Sequence, residues 1–132
     1  MRYFIITVDT EGDNLWDWKD DDEITTKNAD FIPRFQELCE KYEFKPTYLV
    51  NYEMANNKKW VDYAKKKAKN GLCEIGMHMH AWNTPPYYYL ENKYNGNPYI
   101  TEYPSSVIDK KVTSLVELLR TVFETDIVSS RS

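Results

Sequence analysis

Residues 3–11, Tyr-Phe-Ile-Ile-Thr-Val-Asp-Thr-Glu, are the stretch that decides the fold. The first six are β-branched or aromatic, which predicts a buried strand over residues 3–8. Two acids, Asp9 and Glu11, follow at the predicted carboxyl end of this strand and open an acidic loop that reaches residue 26. In parallel α/β folds ligands bind at the carboxyl ends of the strands, so both acids are candidates for a functional site.

Strand and helix patterns alternate along the rest of the chain. Helices are predicted over about 29–42, 57–70 and 106–124, and further strands over 46–51, 72–80 and from residue 127. This alternation predicts an α/β fold with a parallel sheet and right-handed crossovers. A closed eight-stranded barrel takes about 200 residues or more. The 132 residues have room for about half of one, so the chain is either a small open sheet or a fragment of a longer protein. An open half-barrel would leave exposed sheet edges, which favours the fragment, a single truncated domain over 1–132.

Each predicted helix has apolar residues at helical spacing, which indicates an inward face. On the first helix this face consists of Phe31, Phe35, Leu38, Cys39 and Tyr42. Asn57 is a favoured N-cap for the second helix, and Gly71 is placed to end it. Ser106 and Asp109 match a capping box at the start of the third helix.

Bulk properties exclude several classes of function. The net charge of -4 argues against nucleic acid or an anionic membrane as the main partner. The sequence contains neither a stretch as long as a membrane span nor room for a signal peptide, so the cytoplasm is the expected location. Cys39 and Cys73 lie in apolar patterns outside any CxxC pair, which favours buried free thiols, although a disulfide stays open. Homo-oligomerisation also stays open.

Two pairs of polar residues at strand ends carry the candidate chemistry. Asp9 and Glu11 are two residues apart and so share one face of a strand, where two carboxylates repel unless a cation or proton lies between them. His78 and His80, the two histidines of the chain, share a face of the third strand about 6–7 Å apart at the backbone, a span that one metal ion can close. A solvated acidic loop and hydrogen-bonded core histidines are the alternative interpretations.

Glu11 together with the two histidines forms a two-histidine-one-carboxylate set. Such a set leaves coordination positions open for water or substrate, as in catalytic zinc sites, and it also suits iron(II). A divalent metal ion, with zinc expected, is therefore the predicted cofactor. The remaining carboxylate, Asp9, could take a proton from the activated water.

Three motifs resemble those of the polysaccharide deacetylase family. Residues 4–11 resemble its first motif, Glu-Ile-Gly-Met-His at 74–78 resembles the lead-in to its second, and Ser-Arg-Ser at 130–132 resembles the start of its third. The resemblance implies the N-terminal half of a distorted parallel (β/α) barrel with fewer than eight strands. It also implies a metal-dependent hydrolase that removes N-acetyl groups from a sugar or polysaccharide substrate.

The resemblance assigns roles to four residues. Asp9 would be the general base, Glu11 the metal-binding acid and His78 the first metal histidine. Arg131 would match the arginine that orients the base.

The sequence departs from the family pattern in two places, and one family residue has no counterpart. The family's second histidine comes four residues after the first, where this chain has Trp82, so His80 is the candidate ligand instead. Thr10 separates two acids that are adjacent in the usual first motif. The family's catalytic acid, a late histidine, would lie beyond Ser132.

Aromatic residues of the loops are candidates for substrate contacts. Trp16, Trp18, Trp82 and Tyr87–Tyr89 could form a sugar-stacking rim, with Trp82 and Tyr87 as the predicted substrate-binding residues, although loop anchoring explains them equally well. Two other functions stay open. An amidohydrolase acting on a cyclic amide also uses an HxH pair, usually on its first strand, and a non-catalytic remnant could bind carbohydrate or metal without turnover.

Overall fold

A computed structural model describes residues 3–15, 23–91 and 98–132. The strands are β1 (Thr7–Thr10), β2 (Thr47–Val50), β3 (Glu74–His78) and β4 (Ser130–Arg131). The helices are α1 (Ile32–Lys41), α2 (Tyr52–Ala55), α3 (Lys58–Lys69) and α4 (Ser105–Phe123), with short 3-10 helices at Lys27–Asp30 and Ile100–Glu102. The strands pair in parallel in the order β1-β2-β3-β4, which confirms the predicted α/β class.

The sheet is curled into a half-barrel that is flanked by helices. Three strand spacings separate β1 from β4, a distance of about 14 Å in a flat sheet. Nevertheless the Arg131 guanidinium donates a hydrogen bond to Asp9 Oδ1 at 2.7 Å, and its other terminal nitrogen donates to Thr7 Oγ1 at 2.8 Å. The curl therefore brings the side chains of the two outer strands into contact.

The core lies between the sheet and the inner faces of α3 and α4. Its largest buried side chains include Trp60 of α3, Phe123 of α4 and Tyr48 of β2, and the Trp60 and Tyr48 rings meet edge to face at 5.2 Å. Asn57 caps α3 by accepting a hydrogen bond from the backbone N–H of Trp60, as predicted. Gly71 follows the helix with a φ of 68°, a left-handed conformation that favours glycine at this position.

The strand predicted over residues 3–8 begins later than expected. β1 starts at Thr7 and continues through Asp9 to Thr10, whereas Tyr3, Phe4 and Ile5 are exposed by 75% or more. Within the described residues their segment has no neighbouring strand that would bury it. The apolar composition therefore predicted the presence of the strand correctly but not its start.

The predicted inward face of α1 is wrong for four of its five residues. Cys39 is buried, but Phe31, Phe35, Leu38 and Tyr42 are exposed on the outer side of the helix. Gln36 is buried instead, because its side chain accepts a hydrogen bond from the Tyr48 hydroxyl at 2.8 Å and donates one to the Leu72 carbonyl at 3.1 Å. A buried amide with these partners satisfies its polar groups, so it can replace an apolar contact.

Two further predictions concern local details. The capping box at Ser106 and Asp109 is wrong, since α4 begins after Pro104 without a side-chain cap. Both cysteines are buried free thiols, as preferred from the sequence. Among the described residues, no helix is long and apolar enough to cross a membrane.

Gly76 lies in β3 two residues before His78, where the sheet has no room for a side chain. A Cβ at this position would lie 2.6 Å from Leu49 Cδ2 on β2 and 2.9 Å from the carbonyl oxygen of Ser129. Leu49 and Ser129 therefore pack too closely against this position for a residue that has a Cβ atom. Glycine at this position keeps β3 in register between its neighbours.

We expect Gly76→Ala to lower the free energy of unfolding by about 1–3 kcal/mol, as overpacking of a filled site does. Urea denaturation followed by circular dichroism measures the change. The control is Ser106→Ala, an exposed substitution at a position that makes no cap, for which the change should stay within about 0.5 kcal/mol. Equal stability of the two variants would contradict the close approach at Gly76.

Candidate metal centre

Three potential metal ligands meet at the carboxyl edge of the sheet. Glu11 directly follows β1, His78 ends β3 and His80 lies two residues further on. Their ligand atoms all lie within 4.8 Å of one another. The side chains are 17%, 6% and 14% exposed, respectively, so the cluster is shielded but can still be reached. The structure thus brings together the three residues that the sequence predicted as ligands.

The register of the strands explains this meeting. Asp9 is level with Leu49, and Leu49 is level with Gly76. Glu11 and His78 each lie two residues further along, so they are level with each other and on the same face. From the sequence spacing alone, Asp9 shares a face with Glu11, and His78 shares a face with His80. The parallel register of the strands places both pairs on the same face of the sheet.

One oxygen of Glu11 faces both imidazole rings. Glu11 Oε2 lies 3.0 Å from His78 Nε2 and 3.2 Å from His80 Nε2. The other ring nitrogen of His78, Nδ1, lies 3.2 Å from the backbone carbonyl oxygen of Arg131. A carbonyl oxygen only accepts hydrogen bonds, so the Nδ1 proton belongs to this contact, and the lone pair of Nε2 points at the carboxylate. Two lone pairs that face each other require a proton or a cation between them.

This donor set fits a divalent metal ion. Metal-binding histidines usually donate their second ring N–H to a carbonyl or carboxylate, as His78 does to Arg131. Burial lowers the pKa of His80, and the neighbouring His78 lowers it further, which keeps its ring neutral as a ligand requires. The contact with His78 lowers the pKa of Glu11 and the neighbouring His80 lowers it further, although burial and Asp9 act in the opposite direction. Glu11 is therefore ionised at neutral pH.

Asp9 stands beside this cluster and is paired with Arg131. Both carboxylate oxygens accept hydrogen bonds from Arg131 Nη1, at 2.7 and 2.9 Å. The Asp9 side chain is 35% exposed, so its remaining lone pairs can be reached by water. The charge of Asp9 also acts on Glu11 and His80. Asp9 and Arg131, the predicted base and its orienting arginine, are therefore adjacent in the structure.

Asp13, the third acid of this stretch, has a structural role. Its carboxylate accepts hydrogen bonds from the Thr25 hydroxyl at 2.7 Å and from the backbone N–H of Lys27 at 2.6 Å. Burial raises the pKa of Asp13, but these hydrogen bonds outweigh it and lower the pKa overall. The residue ties the two ends of the first loop together and does not join the cluster.

The loop after β3 places Trp82 against the cluster. The Trp82 ring stacks on His80 with 5.8 Å between the ring centres, while the three tyrosines that follow are exposed. Trp82 thus touches the candidate centre, and Tyr87 lies in an open position on the same loop. Trp16 and Trp18, the other two tryptophans of the predicted rim, lie outside the described residues.

A buried lysine holds this loop in place. Lys111 of α4 is inaccessible to solvent, and its ammonium donates hydrogen bonds to the Thr84 carbonyl at 2.6 Å and to the Pro86 carbonyl at 2.7 Å. The same ammonium lies 5.3 Å from the centre of the Tyr103 ring. Burial lowers the pKa of Lys111. The Lys111 ammonium thus takes the place of water as the hydrogen-bond donor to two carbonyl groups of the loop that carries Trp82.

Sequence reasoning missed two polar residues at the end of β2, the strand between the two ligand-bearing strands. Asn51 is fully buried and caps α2 by accepting a hydrogen bond from the backbone N–H of Met54 at 3.1 Å. Glu53 lies in the first turn of α2. The available signal was position alone, since Asn51 ends the predicted strand 46–51 and Glu53 follows it at the edge where the other ligands had been sought.

Comparisons of the chain with protein-family models, with curated proteins and with solved structures find no match.

We expect the protein to bind one zinc ion per chain and Glu11→Gln, His78→Ala and His80→Ala each to weaken this binding by about 100-fold or more, since even loss of an outer partner costs 10–100-fold. Competition against a chromophoric chelator measures the affinity. The matched control is Glu37→Gln, an exposed glutamate on α1, which should bind zinc like the wild type. Zinc affinity that is equal in all variants would contradict the assignment.

We expect Lys111→Met to lower the free energy of unfolding by about 1.5–3 kcal/mol, because hydrogen bonds to a charged donor contribute about this much. Thermal and urea denaturation measure the effect. Lys110→Met, an exposed neighbour on the same helix, is the control and should change stability by less than about 0.5 kcal/mol. A loss shared by both variants would mean that Lys111 does not hold the loop.

Proposed function

We propose that this chain is the N-terminal half of a polysaccharide-deacetylase-type barrel, a zinc-dependent hydrolase that removes N-acetyl groups from a sugar or polysaccharide. The observation that carries the proposal is the convergence of Glu11, His78 and His80 beside the Asp9–Arg131 pair at one sheet edge. The order of these residues along the chain follows the order of the three family motifs. The curled parallel sheet supports the barrel architecture that the family implies.

The residues of the chain divide the work of amide hydrolysis. Glu11, His78 and His80 would hold a zinc ion, which supplies the Lewis acidity that polarises the amide carbonyl and acidifies a nearby water. Asp9 accepts the proton of the attacking water on its carboxylate. Arg131 holds this carboxylate in one orientation through two hydrogen bonds. Trp82, stacked on His80, offers an aromatic surface beside the reacting group for a sugar ring.

The runner-up function is an amidohydrolase acting on a cyclic amide, which would use the same ligand types. Its HxH pair usually lies on the first strand, whereas the pair here ends β3 and the first strand supplies carboxylates. This placement favours the deacetylase. A non-catalytic metal-binding or carbohydrate-binding module would need the cluster but not the arginine-held carboxylate beside it.

We expect the zinc-loaded protein to release acetate from N-acetylglucosamine oligomers and to leave a cyclic amide such as dihydrouracil intact. Asp9→Asn should lower the rate by about 100-fold or more, as loss of a general base does, while the zinc content stays at one per chain. Acetate release and metal analysis measure both. Asp109→Asn, an exposed acid on α4, is the control with unchanged activity.

The outcomes separate the candidates. Turnover of the cyclic amide alone would favour the amidohydrolase, and zinc binding without turnover of either substrate would favour the binding module. Full activity of Asp9→Asn on the oligomers would remove Asp9 from the role of base.

A further inference from the structure

Glu53 is a carboxyl group at the sheet edge to which the site described above assigns no role. β2 lies between β1, which leads to Glu11, and β3, which ends at His78. The chain leaves β2 at Asn51, whose backbone N–H donates to the Thr10 carbonyl at 3.1 Å. Glu53 follows two residues later in the first turn of α2, so it lies just beyond the carboxyl end of β2, at the same sheet edge as the candidate metal ligands.

The position of Glu53 is fixed by a buried cap. The Asn51 side chain is inaccessible to solvent and accepts the hydrogen bond of the Met54 backbone N–H at 3.1 Å. This contact sets the start of the four-residue helix α2 and hence the direction in which Glu53 leaves it. Helix α2 in turn packs against α3 and α4. Glu53 is therefore presented by a rigid corner and not by a loose loop.

The carboxyl group of Glu53 lacks the partners that structural glutamates of this protein have. Glu40 accepts hydrogen bonds from Lys67 and Gln36, and Glu124 is paired with Lys65 and Lys69. In contrast, Glu53 Oε2 is buried and has no hydrogen-bond partner among the described residues. An ionised carboxylate costs far more free energy in such a place than a protonated carboxyl does.

The surroundings of Glu53 are those of a proton donor. Burial raises the pKa of Glu53 to about 7, the charge of Glu11 adds to the rise, and its own backbone N–H opposes it. Burial also raises the pKa of Tyr87, with Tyr52 and Glu53 contributing. Glu53 thus lies within electrostatic reach both of the ligand Glu11 and of the predicted substrate residue Tyr87.

We propose that Glu53 is the general acid of this site, which protonates the leaving nitrogen as the amide C–N bond breaks. The assignment rests on the proposed hydrolase function, and it departs from the family pattern, in which the catalytic acid is a late histidine. Water adds to the carbonyl carbon and gives a proton to Asp9. The C–N bond then breaks, its electron pair stays on nitrogen, and nitrogen takes the proton of Glu53. The products are the free amine and acetic acid, and the proton held by Asp9 restores Glu53 through solvent.

A general acid matters only for leaving groups that need a proton, so two substrates test its role. The zinc-loaded wild type, Glu53→Gln and the matched control Glu37→Gln are assayed on N-acetylglucosamine oligomers and on 4-nitrophenyl acetate, whose phenolate departs unprotonated. Glu53→Gln should lower kcat/KM for the amide by about 100-fold or more and for the ester by less than about 3-fold. Glu37→Gln should match the wild type on both.

The results distinguish failure of this assignment from failure of the proposed function. A wild type that leaves the amide intact overturns the proposed function and the role of Glu53 together. A wild type that cleaves the amide, with Glu53→Gln equally active or equally impaired on both substrates, overturns the role of Glu53 alone.

A second readout does not depend on turnover. In zinc-free protein labelled with carbon-13 at glutamate carboxyls, the resonance that Glu53→Gln removes should titrate at about 7. Titration near 4.3, the ordinary value for glutamate, would mean that Glu53 is ionised at neutral pH and would overturn the proposal. Zinc affinity should be unchanged in Glu53→Gln, whereas a loss as large as that of Glu11→Gln would make Glu53 a ligand and not an acid.

Discussion

The parallel pairing of four strands with a common curl is the constraint on which the candidate centre depends. Parallel strands end at one edge, so side chains just beyond their carboxyl ends become neighbours despite being far apart in sequence. The register then selects which of them share a face, since Asp9, Leu49 and Gly76 are level. The curl adds the last contact, between Arg131 on one outer strand and Asp9 on the other. A flat sheet or a register shifted by one residue would separate these groups.

Much of this arrangement could be predicted from the sequence because the signals are local. The alternation of strands and helices follows from apolar periodicity, and the cap at Asn57 and the turn at Gly71 depend on nearest neighbours. The pairing of Glu11 with the two histidines was predictable for a different reason. The two acids and the two histidines are each spaced by two residues at a predicted strand end. Because the carboxyl ends of parallel strands meet at one edge of the sheet, the acids and the histidines were expected to lie close together although they are far apart in sequence.

The errors arose where tertiary context decides between equally apolar surfaces. Helix α1 packs inward with the face that carries Gln36 and Cys39. Tyr48 and Leu72 supply hydrogen-bond partners for Gln36 on this side. Hydrophobicity alone favoured the face that carries Phe31 and Phe35, which is exposed. Glu53 was missed because α2 is only four residues long and has no periodic signature. The proposed acid therefore lies on a corner that no pattern of period 2 or 3.6 reveals.

Three carboxyl groups at one edge would repel one another if all were ionised and unpaired, and the fold gives each a different environment. Glu11 faces two imidazoles, and the contact with His78 lowers its pKa. Asp9 is held by the Arg131 guanidinium. Glu53 is half-buried with its Oε2 atom out of contact with solvent, and this burial raises its pKa to about 7. In hydrolytic sites, environments that push the pKa values of neighbouring groups apart indicate which group is the acid and which is the base. A purely structural acidic edge does not need three carboxyl groups that ionise so differently, whereas the proposed amide hydrolysis requires a ligand, a base and an acid together.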